Sequence, residues 1–137
     1  MDGKLLVQIS GAVALGMGVV AMLAPGFVAD FLDLLPQTTA AHGEIRASLG
    51  GVWAAMGLVV LGGMSTGKGR TMARGVGVVW GGAVAGRVLS LVLDDLVAPL
   101  TWLSIAVETA LVVALFRGLG QLEREAAAKI ESAPGTA

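Results

Sequence analysis

Residues 5–24 read LLVQISGAVALGMGVVAMLA and are followed by Pro25-Gly26. Only Gln8 and Ser10 interrupt the apolar run, and a helix needs roughly 20 such residues to cross a hydrocarbon core of about 30 Å. The run exceeds the roughly 7–15-residue apolar core of a signal peptide, and no A-x-A cleavage site follows, so it reads as a retained helix. Three further stretches, about 45–64, 75–93 and 100–116, have the same character. Pro99 suits the first turn of the last one, where a missing backbone donor costs nothing.

The composition agrees. Of 137 residues 55% are hydrophobic and 14% charged, with a mean hydropathy of +0.84. Soluble domains carry about 25% charged residues, so this chain has too few to coat a surface facing water. A soluble globular domain and a disordered chain are excluded. A formal net charge of −1 gives no footprint for a polyanion, and nucleic acid is not an expected partner. The absence of cysteine excludes a disulfide framework, a thiolate nucleophile and a Cys-based zinc site.

The basic residues set the orientation. Lys4, then Lys68, Arg70 and Arg74, then Arg117, Arg124 and Lys129 fall on one side of a four-span chain. The opposite loops hold Asp30, Asp33, Glu44, Asp94 and Asp95, with Arg46 near the start of the second helix. The positive-inside rule then puts both termini in the cytoplasm. The expected fold is all-α: an integral membrane four-helix bundle over residues 1–119, in the cell inner (plasma) membrane, with a polar cytoplasmic tail at 120–137. Residues 27–35, FVADFLDLL, form either a short amphipathic helix on the outer interface or an apolar linker closing over the bundle.

The 21 glycines have a physical use. Lipid gives helices little reason to hide leucine from leucine, so close backbone approach through small residues drives association. Small residues four apart occur at Gly43, Ala47, Gly51 and Ala55, at Gly82, Gly86 and Ser90, and at Ala14 and Gly18. These ridges are expected to pack the bundle, or to pack it against a second copy or a larger partner. A bulky side chain at Gly51 or Gly86 is therefore expected to push helices apart.

Ionisable groups inside a span are costly and normally face the interior with a partner. Arg87 lies about six residues from the outer end of helix three and Glu108 about eight from that of helix four. At about 1.5 Å per residue their depths match within the reach of a side chain. Arg46 sits higher, where Asp94 can meet it. Arg87, Ser90 and Asp94 share a helix face by their i, i+3, i+7 spacing. These residues form a polar seam that either fixes helix register or binds a polar molecule.

The strings GEIRASLGG (43–51) and GRVLSLVLD (86–94), the PLTW at 99–102 and the glutamate in helix four resemble a bacterial family of small four-helix membrane proteins, domain of unknown function 4345. The resemblance spans about 5–119 and rests on Arg46, Gly50, Gly51, Arg87, Ser90, Asp94 and Glu108. It implies the fold and brings no activity.

Other signals are weaker. Residues 62–69, GGMSTGKG, nearly spell a phosphate-binding loop. However, Gly69 stands where the hydroxyl belongs, and the string joins two spans rather than a strand and a helix. A flexible basic loop is expected there. His42 is the single histidine, which leaves neither a hydrolytic triad nor a metal site, and no cofactor is expected. Trp102 fits an interfacial belt. The leading expectation is a non-enzymatic accessory subunit or scaffold in contact with membrane lipid and a larger complex. The alternative is a small transporter or ligand-binding protein using the seam of Arg46, Arg87, Asp94 and Glu108. Small multidrug transporters share the size but need a glutamate in helix one, which has no charge here. The cysteine-free background allows a direct topology test. Single cysteines at Ser65 and Asp95 should be labelled from opposite sides of the membrane, and labelling of both from one side would overturn four spans.

Overall fold

The computed structural model describes residues 2–34, 39–93 and 99–132. Helix α1 spans Gly3–Leu23 and is capped by Asp2, whose carboxylate accepts from Lys4 N at 3.0 Å. It stops at Ala24 because a residue before proline is pushed out of the helical region. Pro25 then opens the short helix α2, Pro25–Phe31. Asp33, with φ 54°, reverses the chain: Leu34 N donates to Ala29 O and Asp33 N to Asp30 O, the bonding of a Schellman closure. Residues 27–34 of this stretch are thus a short helix and its cap rather than a linker.

The second long helix runs unbroken over Thr39–Gly62. It comprises α3 (Thr39–Glu44), a π-helical segment (Ile45–Gly51) and α4 (Val52–Gly62). After a tight turn at Gly63–Ser65 comes α5 (Gly67–Leu93), and α6 (Pro99–Glu131) completes the chain. All four long helices are apolar and long enough to cross a membrane.

Contacts fix an antiparallel order in which each helix packs on its sequence neighbours and α6 closes on α1. Along α1, Gly11 faces Leu61 and Gly18 faces Ala54. Gly3 meets Gly118 and Gln121 of α6, and Arg74 of α5 pairs with Glu123 of α6. The start of α1, the 63–65 turn and the later half of α6 therefore share one end of the bundle. Val7, Ala14, Val60, Ala73, Trp80, Leu115 and Leu119 form the core at that end. Trp80 is stacked on Trp53 with ring centroids 5.6 Å apart.

Three long helices differ from their expected bounds, the second by beginning at Thr39 rather than near 45. Helix α5 begins at Gly67 rather than near 75, because Thr66 caps it: Gly69 N donates to Thr66 Oγ1 at 3.0 Å. Lys68, Arg70 and Arg74 accordingly lie on helix, and the expected basic loop is absent. The glycines of GGMSTGKG serve the turn, since a Cβ on Gly63 would sit 2.5 Å from Gly69 O. Helix α6 continues past 116 through residues 121–131, QLEREAAAKIE, a run of strong helix formers.

The glycine ridges need correction. A Cβ on Gly43, Gly82 or Gly86 would meet none of the described residues within 4 Å, and one on Gly51 only its own helix's Arg46 O at 3.6 Å. Ala47 and Ala55 are exposed. The face that meets α1 carries Ile45, Gly50, Ala54 and Gly57, with Gly50 and Ala54 each one position before the expected Gly51 and Ala55. The π-helical segment inserts a five-residue step between Ile45 and Gly50, so a strict count of four loses the face. Of the expected small residues, Ala14 and Gly18 on α1 are buried. A Cβ on Gly18 would lie 2.3 Å from Ala54 N, and one on Gly57 2.5 Å from Leu15 N. Both neighbours are backbone and cannot swing aside. Gly18→Ala and Gly57→Ala should each cost about 1–3 kcal/mol. Gly86→Ala should be neutral or stabilising, by up to about 1 kcal/mol of helix propensity. Unfolding in mixed micelles measures all three, and equal stabilities would show that α1 and α4 are not in backbone contact.

Candidate functional site

Glu108 is 4% exposed on the inward face of α6, in a bundle that offers few polar partners. Arg87 of α5 supplies one. Its Nε donates to Glu108 Oε2 at 2.9 Å and its Nη2 to Oε1, also at 2.9 Å. This bidentate fork matches a planar carboxylate and satisfies both oxygens at once. The Arg87 side chain remains 37% exposed and lines a cleft, so the pair is a wall rather than a sealed core.

That wall faces a cleft of about 370 Å³ at the end of the bundle away from the termini. Met17 and Val20 of α1, Leu49 and Trp53 of the second long helix, and Leu103 and Val107 of α6 form its sides. Helix α2 lies across it, contributing Phe27 and Phe31, whose rings stack 6.2 Å apart. Ala21, Ala29 and Ile45 hold α2 to α1 and to the π-helical segment. Ser104, one turn before Glu108, is the remaining polar lining residue. Phe27, Phe31 and Leu103 are 62%, 52% and 55% exposed, so the cleft opens outward.

The residues expected to form one seam have different fates. Arg87 and Glu108 meet. Arg46 instead donates from Nε to Met22 O at 3.2 Å, in the last turn of α1. There a cation caps an orphan carbonyl at the negative end of the helix dipole. Asp94, its expected partner, lies outside the described residues. Ser90 is half-buried on α5 but does not line the cleft. Among the described residues, Gly43, Ala47, Gly51, Gly82 and Gly86 form no close contact with another helix, as corrected above.

Sequence reasoning missed two polar positions. Ser104 shares a face with Glu108 by its four-residue spacing, a signal that was there to be read. Ser10, fully buried, donates from Oγ to Leu6 O at 3.0 Å and lies 3.4 Å from Leu111 O across the α1–α6 interface. Among the described residues no group of three or more His, Asp or Glu converges as metal ligands would.

Fold and site together define a class: an all-α bundle of four long apolar helices with an apolar cleft walled by one ion pair. The family model described as "Domain of unknown function (DUF4345)" matches residues 3–119, and the chain belongs to that family. It is the family indicated by the strings at 43–51 and 86–94. No curated protein and no solved structure matches the chain.

Arg87→Ala and Glu108→Ala should each lower stability by stranding the other charge, and the double substitution should cost less than their sum. Interhelical polar bonds in membrane bundles give couplings of about 0.6–1.7 kcal/mol in a double-mutant cycle. Strict additivity would mean that the pair is not formed.

Proposed function

We propose that the protein is a non-enzymatic, multi-pass membrane protein that holds a hydrophobic small molecule in the cleft between α1, α2 and α6. Membrane insertion is supported by the outward faces of the bundle. Leu58, Val78, Val92 and Leu93 are 59–73% exposed, which is untenable in water on this scale but normal in hydrocarbon. Both termini face the cytoplasm in this reading, because Lys4, Lys68, Arg70, Arg74, Arg117, Arg124 and Lys129 gather at one end of the antiparallel bundle.

The observation that carries the binding role is the open apolar cleft with a single ion pair in its wall. Structural pairing alone does not require a cavity beside the pair, whereas a ligand site combines an apolar lining with a few placed polar groups. Among the described residues Glu108 is engaged by Arg87 rather than by the Ser104 hydroxyl, so no activated nucleophile supports turnover and binding is proposed.

An accessory role in a larger complex is favoured by a different feature. Helix α5 is the least covered of the four spans, and Gly82 and Gly86 are exposed on it. Extraction into mild detergent followed by native mass spectrometry separates the two roles. The binding role predicts one retained small molecule per chain, lost from Val107→Phe, which fills the cleft. A stoichiometric larger protein and no small molecule in either form would favour the accessory role and overturn the cleft reading.

A further inference from the structure

We infer that the cleft selects a neutral, long-chain molecule whose head is a hydrogen-bond acceptor of the carbonyl class, such as an ester, amide or ketone. The inference rests on the binding role above and names the chemistry of its ligand.

The wall sets the charge. Arg87 and Glu108 cancel, and both carboxylate oxygens already accept from the guanidinium at 2.9 Å. An anionic head would leave one uncompensated negative charge among Val20, Phe31, Leu103 and Val107, and a cationic head one positive charge. Either is a buried ion without its own partner, the costly arrangement in a medium of low dielectric. A neutral head has no such cost.

The wall also sets the polarity of the hydrogen bond. A guanidinium carries five N–H donors and no acceptor, and the ion pair engages two of them. Three remain on a side chain that is 37% exposed beside the cleft. Ser104, one turn away on α6, adds a hydroxyl that can also donate. Each Glu108 oxygen keeps a second lone pair, but that side chain is only 4% exposed and presents little of this capacity to the cleft. The surplus at this wall is therefore donors, and the complement is an acceptor.

The remaining lining sets the tail. Met17, Val20, Phe27, Phe31 and Trp53 offer an apolar bed, and the outward opening lets a chain enter sideways from the bilayer. Such a molecule enters with its head toward α5 and its tail under α2.

The test uses the full-length chain carrying Trp102→Phe, in phosphatidylcholine nanodiscs. Trp102 is 53% exposed and would report on bulk lipid, whereas Trp53 lines the cleft. Four probes share one brominated alkyl chain, which quenches tryptophan on contact. They end in a methyl ester, a sulfonate, a quaternary ammonium or a plain methyl group. The ester should quench at a mole fraction roughly tenfold lower than the hydrocarbon, the scale of one hydrogen bond to a charged donor.

The outcomes separate the two levels of inference. Quenching by none of the probes overturns the binding role and the head-group selection with it. Equal quenching by ester and hydrocarbon keeps the cleft as a binding site and overturns the acceptor head. Stronger quenching by sulfonate or ammonium than by ester overturns neutrality. Glu108→Gln leaves Arg87 unpaired and should switch the preference from ester to sulfonate. The double variant Arg87→Gln/Glu108→Gln keeps a neutral wall should the single one not fold, and there the advantage of ester over hydrocarbon should shrink. A preference unchanged in the variant that folds would show that the pair does not read the head group.

Discussion

Backbone contact between α1 and α4 is the constraint on which the rest of the bundle depends. Gly18 and Gly57 each place a hydrogen where a side chain would strike the facing main chain, with Gly50 O and Gly11 O 2.7 Å from the vacant Cβ positions. At that distance the two helices behave as one slab. Helix α5 and the first half of α6 then pack against the slab with ordinary side chains, large ones at the terminal end and fewer toward the other. The core at the terminal end is filled by Trp80, Leu115 and Leu119. At the far end the corresponding space is bordered by Ala21 and Val107, and the cleft opens there.

The π-helical segment follows from the same contact. Ile45 must stay buried against Ala21 and Ala29, while Gly50 must meet Met22. An uninterrupted α-helix cannot present both on one line, because residues five apart diverge in angle. The extra residue in the turn brings both onto the α1 face. It also carries Arg46 to Met22 O, so one local irregularity joins the second long helix to the end of α1 and to the start of α2.

This irregularity explains what the sequence made legible and what it did not. Helix number and the sharing of one end by the basic residues follow from hydropathy and charge, which depend on composition over many residues. The meeting of Arg87 and Glu108 followed from depth, because a charge in an apolar helix has few places to go. The packing ridge was misplaced by one residue on helix two, because GEIRASLGG contains no mark of a five-residue step. On α5, GxxxG spacing at Gly82 and Gly86 states only that close approach is allowed, and among the described residues no helix makes it. The cleft was invisible for a related reason: apolar residues lining a space and apolar residues filling one have the same composition.

The ion pair and the cleft explain each other. A carboxylate 4% exposed in a bundle of this composition is held only by a partner with matching geometry, and Arg87 provides it from the adjacent helix. If register were the whole purpose, a neutral serine pair or a small-residue contact would serve at lower desolvation cost, as Ser10 does between α1 and α6. A full ion pair beside an unfilled part of the core has a different consequence. It leaves a guanidinium whose charge is neutralised and whose remaining donors are fixed in direction. Such a group attracts neither sign of ion strongly, yet hydrogen-bonds better than any neutral side chain. In an apolar cleft, that combination recognises polarity without charge.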